Sequence, residues 1–124
     1  MYEYTGKILE IHDGDTIRID LDLGLQIHQV NLDCRFYGVD APELGRPDGL
    51  GEKARGEIVA WLTKHPGPYV MATIKDRTEK YGRYLLEAIT AADGRELIGD
   101  LLAAGFLKPY TGHGPKPEWA AESE

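Results

Sequence analysis

Hydrophobic residues change their spacing along this chain, and the changes mark out its elements. From Ile17 to Leu23 the apolar residues hold the odd positions, with Arg18, Asp20 and Asp22 between them. That alternation of period two belongs to a strand with one face buried. Leu25 and Ile27 keep the odd parity, whereas Val30, Leu32, Cys34 and Phe36 are even. A slip between Ile27 and Val30 predicts a bulge, the device that bends long strands into barrels. An earlier strand is predicted over roughly Thr5–His12, turning at Asp13-Gly14 into the second. The period then lengthens. Leu50, Ala54, Ile58, Trp61 and Leu62 recur at helical spacing, while Glu52, Lys53, Arg55 and Glu57 cover the other face. "HPGP" (65–68) stops that helix. Two more strands, "YVMATIK" (69–75) and "YLLEAIT" (84–90), flank a basic loop. After the turn "ADG" (92–94), Leu97, Ile98, Leu101 and Leu102 form a short apolar helix face closed by Gly105.

Three strands, a helix, two strands and a helix predict a small curled sheet of the α+β class, mainly β with helices. A five-stranded barrel with a helix inserted after the third strand is the economical arrangement. The 124 residues make one domain with a single core. It is predicted to span residues 1–111. The remainder, "GHGPKPEWAAESE" (112–124), has little apolar surface and is expected to be flexible or a short helix.

Composition narrows the class without deciding it. The chain is 42% hydrophobic and 28% charged, the balance of an ordinary globular protein. It has no membrane-spanning run, and its start lacks the regions of a signal peptide. The expectation is therefore a cytoplasmic monomer with no membrane partner, secreted only if a leader has been removed. One cysteine, Cys34, excludes an internal disulfide, and its neighbours place it in a buried strand. The four histidines show no metal-ligand spacing. A net charge of −7 argues against nucleic acid, but the distribution is uneven. "KDRTEKYGR" (75–83) carries four bases against two acids. Charges more than about 8 Å apart are largely screened at physiological salt, so a local basic segment can hold a phosphate on an acidic protein.

Three stretches carry candidate chemistry. "HDGDT" (12–16) offers Asp13 and Asp15, "CRFYGVDAPE" (34–43) offers Arg35, Asp40 and Glu43, and "KYGR" (80–83) offers Lys80, Tyr81 and Arg83. Singly each has a plain reading: a hairpin turn, a solvated barrel residue, an exposed loop charge. Together they describe a site for phosphodiester hydrolysis. A divalent cation and arginine forks stabilise the charge that grows on phosphoryl oxygens, and a carboxylate accepts the proton of the attacking water. Two carboxylates held about 4 Å apart repel by roughly 4 kcal/mol at an effective dielectric of 20, a penalty that a bound cation removes. The donors are all oxygens, which favours calcium or magnesium over zinc. Ala41 precedes a proline and is biased to extended geometry, which makes its carbonyl a candidate third ligand.

These stretches also resemble a known family. "DGDTIRI", "CRFYGVDAPE", "GEKA", "KYGRYL" and "ADGRELIGDLLAAGF" stand in the order and with the spacing of the staphylococcal nuclease (thermonuclease) family. The likeness covers roughly Thr5 to Lys108. It implies an OB-type five-stranded β-barrel with two to three α-helices, and a calcium-dependent endonuclease acting on DNA and RNA, with magnesium the less favoured ion. It also implies that Asp15, Asp40 and the Ala41 carbonyl bind the metal, with Asp13 acting through water. Glu43 corresponds to the proposed general base, Arg35 and Arg83 to the phosphate-binding arginines, and Lys80 and Tyr81 to positions beside the bound nucleotide. The competing expectation is a non-catalytic OB module that binds single-stranded nucleic acid or a protein partner. Its acids would repel a nucleic-acid backbone in the absence of a metal. A third, an acidic domain imitating nucleic acid, fits poorly with the basic segment at 75–83.

Overall fold

The alternating strands curl and close. In the computed structural model, which describes residues 2–78, 82–112 and 114–119 (the backbone alone at 75–78), β1 (Tyr2–Ile11), β2 (Thr16–Gly24) and β3 (Ile27–Phe36) form an antiparallel meander. β4 (Val39–Asp40) and α1 (Leu50–Lys64) follow, then the antiparallel pair β5 (Tyr69–Thr78) and β6 (Tyr84–Thr90). α2 (Leu97–Ala103) and β7 (Lys108–Pro109) complete the order. The sheet closes as a five-stranded barrel in the order β1-β2-β3-β6-β5, with β3 and β6 parallel and β5 returning antiparallel to β1. β4 and β7 pair separately as a two-stranded ribbon. This mixed barrel with two helices is consistent with the OB-type, mainly β architecture expected from the sequence.

The predicted faces account for most of the core. Ile17, Ile19, Cys34, Phe36, Met71, Leu86 and Ile89 are at most 1% exposed and fill the barrel; each large side chain so buried contributes about 1.5–3 kcal/mol. α1 seals one side with Ala54, Ile58 and Trp61, and α2 adds Leu97, Ile98 and Leu101. The Trp61 indole N–H donates to Asp100 at 2.8 Å and ties the two helices together. Among the described residues no helix is long and apolar enough to cross a membrane.

One detail corrects the sequence reading. The odd parity runs past the core: Leu25 is 93% exposed and Ile27 is 54% exposed, at the tip of the β2–β3 hairpin. Val30, expected on the buried face, also points outward. Ile19 pairs with Leu32 and Leu21 with Gln29, so the extra residue of the bulge falls at Val30–Asn31. Asn31 adopts a φ of 56° there, and its N–H is held by Asp20 at 2.9 Å. Parity is therefore reset just after Val30, one step later than the pattern suggested. Of the tail, residues 113 and 120–124 lie outside the described residues; residues 114–119 are not helical, and Trp119 contacts Asp40 of β4 and Arg46 in the loop after it.

Candidate active site

The site begins with a close approach between a turn and a helix. Asp13 accepts the N–H of Asp15 at 3.1 Å, and the Thr16 carbonyl accepts from His12 and Asp13, which closes the tight connection into β2. Gly14 sits at its apex. A Cβ there would lie 2.7 Å from the Ala41 Cβ and 2.9 Å from the Ala54 Cβ. The absence of a side chain lets the turn nest between the segment after β4 and α1. The helix is brought in by a second glycine, Gly51, against the Glu43 carbonyl, where no Cβ would fit. The small residues of "GEKA" thereby set the position of the acids.

Asp15 and Asp40 come together at this contact. Asp15 is 8% exposed and Asp40 is 3% exposed. The Ala41 N–H donates to Asp15 Oδ2 at 3.1 Å, linking the start of β2 to the end of β4. Arg35, the next-to-last residue of β3, reaches between the two acids. Its Nη2 lies 3.5 Å from Asp15 Oδ2 and 3.7 Å from Asp40 Oδ1, and its Nη1 donates to the Phe36 carbonyl at 3.2 Å. At these distances the guanidinium neutralises by proximity more than by strong hydrogen bonds. Arg83, just before β6, joins from the other side: its Nη1 donates to Thr16 Oγ1 at 3.1 Å, and Thr16 Oγ1 donates to Asp15 Oδ1 at 3.2 Å. It also borders a cleft of about 240 Å³ lined by His12, Thr16, Arg18 and Asp33 among others.

The electrostatics of Asp15 follow from this packing. Burial pushes its carboxyl up to about 7, reinforced by the hydrogen bond and the negative charge of Asp13. The Arg35 charge and the Ala41 N–H oppose the rise without cancelling it. Burial thus disfavours an ionised Asp15 when no cation is bound, and the acidic donor set is made only of oxygens. That chemistry fits a hard divalent ion. Among the described residues, no three His, Cys, Asp or Glu side chains are gathered as a ready cage. A complete ligand set would therefore draw on a backbone carbonyl and water besides the two acids.

Of the residues singled out in the sequence, Asp13, Asp15, Asp40, Ala41, Arg35 and Arg83 meet in this one cluster. Glu43 does not join it by direct contact. Its side chain is 79% exposed, and its carboxylate lies 3.8 Å from Lys116. Lys80 and Tyr81 lie outside the described residues. The motifs do not single out Thr16, although it stands within "HDGDT"; its bridge between Asp15 and Arg83 exists only once the barrel has closed. Nor do they single out Trp119, whose indole N–H donates to Asp40 Oδ2 at 3.1 Å. A tryptophan in an otherwise polar tail was the available signal. Scanned against protein-family models the chain matches none, and among curated proteins none matches it.

Proposed function

We propose that this protein is a calcium-dependent nuclease that hydrolyses phosphodiester bonds of DNA, RNA or both by in-line attack of water. The observation that carries the reading is the convergence of Asp15 and Asp40 on Arg35, with Arg83 linked to the same carboxylate through Thr16. The resemblance to the staphylococcal nuclease family supports it, residue for residue, at these positions. Asp15, Asp40 and the Ala41 carbonyl are the groups that would hold the cation. When bound, the ion supplies positive charge to a phosphoryl oxygen. Arg35 and Arg83 present guanidinium groups whose forked N–H donors match the remaining phosphoryl oxygens. Thr16 holds Arg83 in register with the acids. Glu43, solvent-exposed beside the cluster, takes the role of proton acceptor for the attacking water. Its contact with Lys116 is exposed and weak, so it does not tie the carboxylate down. Lys80 and Tyr81 are assigned to the substrate.

The test is cleavage of labelled single- and double-stranded DNA and RNA by the full chain during a calcium titration. Cleavage should require calcium and stop on chelation. Arg83→Ala should slow it by about 100- to 1000-fold or more, with thermal unfolding close to wild type. A wild-type protein without cleavage across a series of metals and pH values would overturn the reading.

A further inference from the structure

The ribbon that carries Asp40 is also where the C-terminal strap begins and ends. β7 runs antiparallel to β4 with Lys108 opposite Asp40. Beyond it the chain reverses through Gly112 and Gly114, at φ of 90° and 79°. The Tyr110 hydroxyl donates to the Gly114 carbonyl at 3.1 Å and holds the reversal. Residues 114–119 then return to the acid that β7 left. Trp119 Nε1 donates to Asp40 Oδ2 at 3.1 Å.

Other contacts hold the indole in place. Lys108 Nζ lies 4.6 Å from the centroid of the Trp119 ring and donates to the Glu118 carbonyl at 2.6 Å. Arg46, itself paired with Asp48 at 2.7 Å, donates to the Trp119 carbonyl at 2.6 Å. A residue so fixed from two separate segments has a defined orientation, and its donor is aimed at a carboxylate only 3% exposed.

We propose that Trp119 is a positioning residue for the metal site: its indole N–H holds Asp40 Oδ2, fixing the carboxylate so that Oδ1 faces Arg35 and the acid pair. The inference rests on the reading that Asp15 and Asp40 bind calcium. The chemistry of the donor suits that task. A ligating carboxylate is commonly held through its second oxygen by an outer hydrogen bond. An indole N–H supplies such a bond without a positive charge to compete with the cation, and it does not titrate. A lysine or arginine in the same place would orient the acid and weaken the site together.

Calcium binding by the full chain, measured calorimetrically for wild type and Trp119→Phe, tests this directly. The phenylalanine keeps an aromatic side chain at the position and removes the N–H donor. Calcium affinity should fall about 10- to 100-fold, while thermal unfolding of the metal-free protein stays close to wild type. Should that variant fail to fold, Arg46→Ala, which releases the Trp119 carbonyl, is read the same way and should weaken calcium several-fold. A folded Trp119→Phe protein that binds calcium as tightly as wild type, or more tightly, overturns the proposal and leaves the nuclease reading standing. A wild-type protein that binds no calcium overturns both.

Discussion

The acids before β2 and those within it are used differently. Just before the strand Asp15 is buried and bonded across the chain, to the N–H of Ala41 and toward Arg35. Within it Asp20 accepts the N–H of Asn31 at 2.9 Å and Asp22 that of Gly24 at 2.8 Å. Those two acids stabilise a bulge and a hairpin where water reaches them. Asp15 and Asp40, by contrast, share one guanidinium in a buried site. The comparison sets the two acids proposed to act apart from the others by an unfavourable buried position, not by their frequency in the sequence. A carboxylate that burial makes costly to ionise weakens the fold at neutral pH, and a bound cation would offset that cost.

The contrast is sharpest in its pH dependence. Asp15 has its folded value raised to about 7 from 3.8, so between these values the native state holds a proton that the unfolded chain releases. The contribution of Asp15 to the stability of the metal-free protein should be full below about pH 4 and decline as pH rises through about 7, by on the order of 3 kcal/mol. Denaturant unfolding at a series of pH values checks this, and Asp15→Asn should flatten the decline. Saturating calcium should oppose it, because the ion binds the ionised form. Asp22→Ala should leave the slope unchanged.

A smaller effect is expected from the turn that seats Asp15. Gly14→Ala places a methyl against Ala41 and Ala54 and should destabilise the protein by about 1–3 kcal/mol through overpacking. Calcium affinity should fall with it, since the contact sets the distance between the acids. Calorimetric binding at a temperature where the variant is fully folded separates the two losses. Smallest of all, Asp22→Ala removes one exposed acceptor from a hairpin N–H. It should cost about 0.5–1 kcal/mol and leave cleavage within about twofold of wild type.

Local pattern made most of the barrel legible. Alternation at Ile17–Leu23 and helical spacing at Leu50–Leu62 gave the right faces because each element buries a single side. Parity failed at Val30 because one residue at positive φ, Asn31, re-aims everything before it. The residue types of the site were legible from the motifs, but their distances were not. Thr16 meets Arg83 only through the neighbours that closure supplies, and Glu43 faces solvent although it stands three residues from a buried acid. Trp119 lay hidden for a related reason. Its partner depends on a chain reversal that two glycines permit but do not announce.

The parallel seam between β3 and β6, where Arg35 faces Leu85 and Cys34 faces Tyr84, has a consequence for how the molecule is made. Strands joined this way are distant in sequence, and the intervening helix and β5 must be laid down before the seam can zip. Such non-local pairings form slowly because chain entropy is lost before they give anything back. Arg35 stands on one side of that seam and Arg83 immediately before the other, so the guanidinium pair is completed in the same event that shuts the cylinder. The first three strands carry Arg35 but not Arg83, so the two proposed phosphate-binding groups stand together only once β6 has docked.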